Sequence, residues 1–362
     1  MSAVTASVAL ANGRIRVLMV ATDGVTSYRV LRCAHACGAE VYVLGNSGVR
    51  TLRLSRFCRR AIVSEHIIHG ARDEGLALEI NGWTRELGIA LVVPADAPAI
   101  RAVIASKDLI EAPCFPLPKL EHFDVLNNKW SFGQLCAELG IPHPVTRLLP
   151  DPQSVARALE SGALPYPLIV KPLDRSASAG VMVLESPESA VRLRAVHYRP
   201  LLVQEFIGGE DIGAAAYAQV GQVTAFVAHS LQRGVYATFR DDAILSDVSK
   251  IVRHFSLDGV YNFDMMRTPD GRVYYLECNP RPYYKIDLSM IAGVNFMERG
   301  IHPAKRGMEV FAGSRQTKVR FPKALLRSIL TSGTCSRRDW ALAAHLFLDP
   351  VPFFLEKLGL TV

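Results

Sequence analysis

No two cysteines in this chain are spaced as Cys-x-x-Cys, and its seven cysteines are an odd number spread from Cys33 to Cys335. A zinc site or a disulfide framework needs grouped or paired thiols, so buried thiols in a reducing compartment are expected instead. His66 and His69 lack the His-Glu-x-x-His spacing of a helical metal site and read as ordinary polar residues. No apolar run approaches the length of a membrane span, and Met1 to Gly13 lacks the basic start and apolar core of a signal peptide. A cytoplasmic protein with no membrane span is therefore expected. The 41 Lys and Arg exceed the 34 Asp and Glu by seven, but they are scattered, with only short clusters such as Arg59-Arg60 and Arg337-Arg338. That excess suits small anionic ligands, and no basic groove for nucleic acid is indicated. The turn after the first apolar run, Ala21-Thr22-Asp23-Gly24, lacks G-x-G-x-x-G, which excludes a dinucleotide fingerprint.

What is present is a soluble-type composition, 49% hydrophobic and 21% charged, over 362 residues, enough for two or three domains with real cores. Arg14 to Val20 reads as a buried strand, Thr26 to Cys37 as a helix ended by Gly38, and Glu40 to Gly45 as a second buried strand. A helix around Leu76 to Leu87, a strand from Ile89 to Val93 and a helix ending near Ser106 repeat the unit, which predicts an open parallel α/β sheet. Pro113, Pro116 and Pro118 form a linker. One helix is expected from Glu121 to Leu139, then strands at Val145 to Leu149, Pro167 to Pro172, Gly180 to Leu184 and Leu202 to Ile207. Antiparallel strands follow at Ile212 to Ala218 and Gln222 to His229, with a helix from Asp247 to Phe255. Beyond about residue 300 a helical tail is expected. Trp340 to Leu348 and Phe353 to Leu358 read as core-packing helix, with a membrane-surface or partner helix as the alternative.

The richest segment is a predicted β-hairpin, Val260 to Met266 and Val273 to Asn279, around Thr268-Pro269-Asp270-Gly271. Alternation places Glu277 and Asn279 on one face. A two-residue Asp-Gly turn pairs Asp264 with Glu277 and Asn262 with Asn279. A four-residue turn keeps the faces, whereas a three-residue loop puts Asp264 on the other side. Carboxylates opposed across a sheet repel one another, so the first arrangement calls for a divalent cation or a proton. Solvent-facing polar positions remain the plain alternative at this point.

Four further segments precede the hairpin. Lys129 lies in Asn127-Asn128-Lys129-Trp130, and Lys171 ends the apolar run Leu168-Ile169-Val170. Asp174 to Val181 is a small-residue loop whose N–H groups could close over phosphate oxygens. Val203-Gln204-Glu205-Phe206-Ile207-Gly208-Gly209-Glu210-Asp211 runs from a buried strand into a glycine turn and two acids. In this order, and with Leu276-Glu277-Cys278-Asn279-Pro280-Arg281 matching an E-x-N-P-R signature, the chain resembles the ATP-grasp superfamily over roughly residues 119–300. That superfamily includes D-alanine:D-alanine ligase, biotin carboxylase and the large subunit of carbamoyl-phosphate synthase.

The resemblance implies a fold of mixed α/β and α+β class. An N-terminal parallel α/β domain (1–118) precedes a two-lobed grasp domain (119–300, smaller lid lobe about 145–207) and a helical tail (301–362). It implies that Lys129 and Lys171 contact the phosphates of ATP, with Lys171 also near the adenine, and that Ser176, Ser178 and Gly180 belong to a closing loop. Gln204 would meet the adenine amino group, the backbone at Glu205 and Ile207 the base, and Glu210, or else Asp211, the ribose. Asp264, Glu277 and Asn279 would hold Mg2+, or Mn2+ in its place, and Arg281 would steady the transferred phosphoryl group. The implied activity is an ATP-dependent carboxylate–amine ligase working through an acyl phosphate and releasing ADP and phosphate. Its substrates would be a small carboxylate and an amine, and its assembly a homodimer. A different acceptor, as in a carboxylase-type or thiol-directed ligase, and a non-catalytic nucleotide-binding regulator are the alternatives.

Two departures bear on the substrate. Cys278 fills a usually aliphatic or small slot, and bulky Pro282-Tyr283-Tyr284-Lys285 follows the signature where glycines and serines are common. Tyr284 or Lys285 is expected either to contact a substrate carboxylate or to pack against the tail. Arg233 and Arg240 lie where a substrate-binding arginine is often found.

Overall fold

A computed structural model describes residues 14–173, 179–302 and 317–351. β1 (Arg16–Ala21), α1 (Val25–Ala36), β2 (Glu40–Gly45), β3 (Cys58–Val63), α2 (Glu74–Leu87), β4 (Leu91–Pro94) and α3 (Ala97–Ala105) come first. Their strands form a parallel sheet of order β3-β2-β1-β4. Val17 to Ala21 and Val41 are buried, as strands covered on both faces require. Asp73 and Asp96 cap α2 and α3 by accepting from Leu76 N and Ala99 N, and Gly88 at φ +62° ends α2. β3 escaped the sequence reading because it is a half-exposed edge strand without the continuous apolar run of its neighbours.

The helix expected over Glu121 to Leu139 is two helices, α4 (Leu120–Asn127) and α5 (Lys129–Glu138). Asn128 breaks it: its backbone is extended and its side-chain oxygen accepts from Trp130 N and Ser131 N. β5 (Thr146–Leu149), α6 (Pro152–Glu160), β6 (Leu168–Lys171), β7 (Met182–Leu184) and β8 (Leu201–Glu205) follow. Their strands form an antiparallel sheet of order β5-β8-β6-β7 over Val155, Leu168, Val170, Leu201 and Val203.

The chain continues through β9 (Glu210–Gln219), β10 (Gln222–Gln232), β11 (Val235–Phe239), α7 (Asp242–His254), β12 (Gly259–Arg267), β13 (Val273–Asn279), α8 (Ile286–Ala292) and α9 (Phe296–Ile301). From residue 317 come β14 (Thr317–Arg320), α10 (Pro322–Ser332) and α11 (Arg337–Phe347). The third sheet has the order β13-β12-β9-β10-β11-β14. The tail is therefore not helical throughout: β14 pairs antiparallel with β11, with Thr317 and Val319 turned inward.

Two compact units result. One comprises the described residues of Met1–Leu120, Ala215–Asn262 and Pro280–Val362, the other Glu121–Ala214 and Phe263–Asn279. In the first, Tyr28, Leu31, Val43, Phe296 and Met297 lie in the core beside a sealed set of charges. Asp287 Oδ2 stands 3.5 Å from Arg29 and 3.4 Å from His345 Nε2. Arg32 lies over the Tyr28 ring at 5.0 Å, and its guanidinium nitrogens make no hydrogen bond among the described residues.

Candidate active site

Lys129, Lys171, Asp264, Glu277 and Asn279 all belong to the second unit. Capping by Asn128 makes Lys129 the first residue of α5, and its Nζ lies 3.0 Å from Glu277 Oε2. Asn279 Nδ2 donates to Asp264 Oδ2 at 2.9 Å and to Glu277 Oε1 at 3.4 Å. Burial pushes the Lys171 ammonium down to about 8, with Lys129 adding to the effect and Glu277 and Asp264 opposing it. Burial works to raise the Glu277 carboxyl, yet Lys129, a hydrogen bond with Asp264 and Lys171 together hold it below its ordinary value.

The side chains meet by a route other than the expected turn. Thr268 N donates to Arg272 O and Gly271 N to Thr268 O, both at 2.9 Å, so three residues form the loop and Gly271 takes φ +88°. A two-residue Asp-Gly turn is thus corrected to a three-residue loop, which by strict alternation would turn Asp264 away. Asp264 and Glu277 nevertheless share Asn279 Nδ2, and the buried positions of β13, Tyr275 and Cys278, are three apart rather than two or four. The inward side of β13 is held by α5, with Phe132, Phe263 and Tyr275 in ring contact.

Gln204 is a buried cross-strand partner of Thr146. Its Nε2 donates to Thr146 Oγ1 at 3.0 Å, and that hydroxyl donates to Pro144 O at 2.7 Å. Gln204 Oε1 is left buried without a hydrogen-bond partner among the described residues. Thr146 and Asn128 are the residues the sequence reading missed. The Asn-x-x-Ser start of α5 signals the cap, whereas nothing local to Thr146 reveals its role.

The remaining expected residues are placed unevenly. Ile207 is buried just beyond β8, and the Glu205 N–H donates to Val145 O at 2.9 Å within the sheet. Glu210 lies 3.8 Å from Arg267, where Gly209 packs so closely on Arg267 O that a Cβ would stand 2.1 Å away. Gly180 takes φ +79° and its carbonyl accepts from Tyr198 OH. Ser176 and Ser178 lie outside the described residues. Arg281 belongs to the first unit and donates to Pro282 O at 3.1 Å. Tyr283 is core, in contact with Ser289 and stacked on His229, while the half-exposed Tyr284 accepts from Arg29 Nη2 at 3.2 Å.

The donor set fits magnesium. Two carboxylates and an amide are hard oxygen donors of the kind magnesium takes, although among the described residues no group of three or more His, Cys, Asp or Glu stands together. A Lys ammonium and an amide N–H now sit against those oxygens, the place where positive charge is most favoured.

Two family models match the chain: an ATP-grasp domain described as belonging to a biosynthetic pathway with the Ter operon, over residues 197–323, and a RimK-like ATP-grasp domain, over residues 126–233. The chain is 24% identical over 239 residues to the carbamoyl phosphate synthase large chain of Methanothrix thermoacetophila, covering 60% of this chain and 21% of that protein. It is 25% identical over 224 residues to the formate-dependent phosphoribosylglycinamide formyltransferase of Ignicoccus hospitalis, covering 54% of each. The chain thus spans about half, or less, of the length of these curated relatives. Among solved structures, an L-amino acid ligase from Bacillus licheniformis superposes with a TM-score of 0.62 at 16% identity, covering 83% of this chain and 78% of that one. A carboxyaminoimidazole ribonucleotide synthase from Aspergillus clavatus, complexed with ATP, gives 0.61 at 16% identity, covering 80% and 76%. At these identities the structural likeness is one of fold.

Proposed function

Because this chain belongs to the ATP-grasp superfamily, we propose that it is an ATP-dependent carboxylate–amine ligase, with a small carboxylic acid and an amine as substrates. The observation that carries this reading is the convergence of Lys129, Asp264, Glu277 and Asn279 in one cluster beside the buried Lys171. A carboxylate attacking the γ-phosphorus of ATP brings anions together, so cations must balance charge on the phosphoryl oxygens. Lys129 and Lys171 would supply two of them. Asp264, Glu277 and Asn279 would hold Mg2+. Magnesium bound there contributes charge neutralisation on the phosphates.

The base end is supported by Gln204, whose unpartnered Oε1 suits the amino group of adenine and repels the carbonyl of guanine. Glu210 is near enough to Arg267 to be oriented by it toward ribose hydroxyls. Arg281, two residues beyond Asn279, is the residue we assign to the transferred phosphoryl group. In the reaction an oxygen of the acid bonds to the γ-phosphorus as its bond to ADP breaks. The amine then attacks the acyl carbon, phosphate leaves with the bonding pair, and the amine gives up a proton. No side-chain nucleophile is needed.

Incubation with ATP, Mg2+, hydroxylamine and pooled carboxylic acids tests this. ADP together with a hydroxamate is the expected outcome. AMP and pyrophosphate would instead indicate adenylation, and ATP binding without turnover across a broad acid panel would indicate a regulatory role.

A further inference from the structure

The stretch Trp340 to Leu348 takes no part in the proposed reaction, and its outer face is unusual. Leu342, Ala343 and Leu346 point into the core with Asp339, as the helical period requires. Between residues 340 and 351 the exposed positions are Trp340, Ala341, Ala344, Phe347, Leu348 and Val351, every one apolar. They recur at one-turn spacing and form a single stripe, with Phe347 71% and Trp340 57% exposed. The preceding helix α10 also exposes apolar side chains among polar ones, with Leu326 and Leu330 at 59% and 77%. Exposed apolar surface this continuous marks an interaction site.

The charges around it select the occupant. Among residues 317–351 the only acids are Asp339 and Asp349, both buried, and both already bonded to the chain itself. The exposed charges are Lys318, Lys323, Arg327 and Arg337, all basic. A second copy docking by the same face would bring these cations together, which disfavours it. An anionic surface meets both features at once, since hydrocarbon takes the apolar stripe and headgroups take the Lys and Arg. Within α11 the stripe from Trp340 to Phe347 is about 10 Å long, a third of a bilayer's hydrocarbon thickness, and no helix among the described residues is long and apolar enough to cross a membrane. It fits a helix lying along the surface.

We infer that α10 and α11 form a docking face for an anionic lipid bilayer. Trp340, Phe347 and Leu348 enter the headgroup boundary, and Lys323, Arg327 and Arg337 meet the phosphates. Sedimentation of the full chain with vesicles of phosphatidylcholine and phosphatidylglycerol in equal parts tests it. At low salt the chain is expected to pellet with these vesicles, with Trp340 emission moving to shorter wavelength. Pure phosphatidylcholine, or high salt, should leave it in solution. Phe347→Glu, at an exposed position whose fold is verified by circular dichroism, should lower the partition coefficient about tenfold. Lys323→Glu with Arg327→Glu should lower it by a similar factor and flatten the salt dependence. Failure to pellet with anionic vesicles overturns the inference, as does a Phe347→Glu chain that pellets like the parent. A concentration-dependent dimer abolished by Phe347→Glu, without vesicle binding, also overturns it and assigns the face to a second copy.

Discussion

Two sets of buried charges, one in each unit, are built from similar side chains and end differently. In the second unit Lys129 and Lys171 face Asp264 and Glu277, and Glu277 retains 22% side-chain exposure. In the first, Arg29 and Arg32 face Asp287 with His345 alongside, and the Asp287 side chain is 4% exposed. The first-unit set is closed: burial would raise the Asp287 carboxyl, but Arg29, His345 and Arg32 hold it below its ordinary value. The second-unit set keeps partial exposure at Glu277 and holds two carboxylates that share one amide, Asn279 Nδ2. Composition alone does not separate a structural ion cluster from a site, whereas exposure and adjacent carboxylates distinguish the two.

The largest expected effect breaks the open set. Glu277→Gln keeps side-chain volume and removes a proposed metal ligand, so turnover should fall about a thousandfold. Stability should fall as well, because the substitution leaves the buried Lys129 ammonium without its carboxylate, but the chain should still fold, with Asn279 donating to Asp264. Steady-state ADP release and thermal unfolding, measured together, check this, and unchanged turnover would refute the metal assignment. Breaking the closed set should do the reverse. Asp287→Asn leaves Arg29 and Arg32 buried without their carboxylate, at a stability loss of about 3 kcal/mol in urea unfolding. Nucleotide affinity should hold. If turnover collapsed while stability held, the closed set would belong to the reaction.

Acid sharpens the contrast within the first unit. Burial depresses the His229 imidazole from 6.5 to about 3, with Lys285 adding to the effect and the side chain of Asn262, as acceptor, opposing it. The unfolded chain then binds the extra proton first. Stability from this group is complete above pH 6.5 and is lost as pH falls toward 3, at about 1.4 kcal/mol per pH unit. His229→Phe should flatten that slope in denaturation curves taken across this range, and an unaltered slope would assign the acid sensitivity elsewhere. The smallest effect concerns the base. Thr146→Val frees the Gln204 amide to turn over, so the preference for ATP over GTP should narrow about tenfold by calorimetry, with Thr146→Ser restoring it. Discrimination unmoved by Thr146→Val would remove Thr146 from base recognition.

Much of the architecture was legible from periodicity. The buried runs at Arg16–Ala21 and Glu40–Gly45 identify parallel strands because side chains covered on both faces leave no polar alternation. β3 and β14 were not legible, being an edge strand and a short strand whose partner lies some eighty residues away. At the candidate site the residue types and their order could be read, but the parity argument for Asp264 rested on a turn that the chain does not make.

The linear chain by itself determined the kind of chemistry on offer: one lysine in a helical stretch and one ending an apolar strand, two carboxylates and an amide on one hairpin, and Arg281 just beyond. These are local patterns, set by strand alternation, helix period and residue type. Only the tertiary structure decided that Lys129 meets Glu277, that Thr146 sets the Gln204 amide, that a three-residue loop joins β12 to β13, and that the α11 stripe faces outward. Each is a pairing between distant segments or a choice of face, fixed by packing and by the need to satisfy buried polar groups, and no local pattern carries that information.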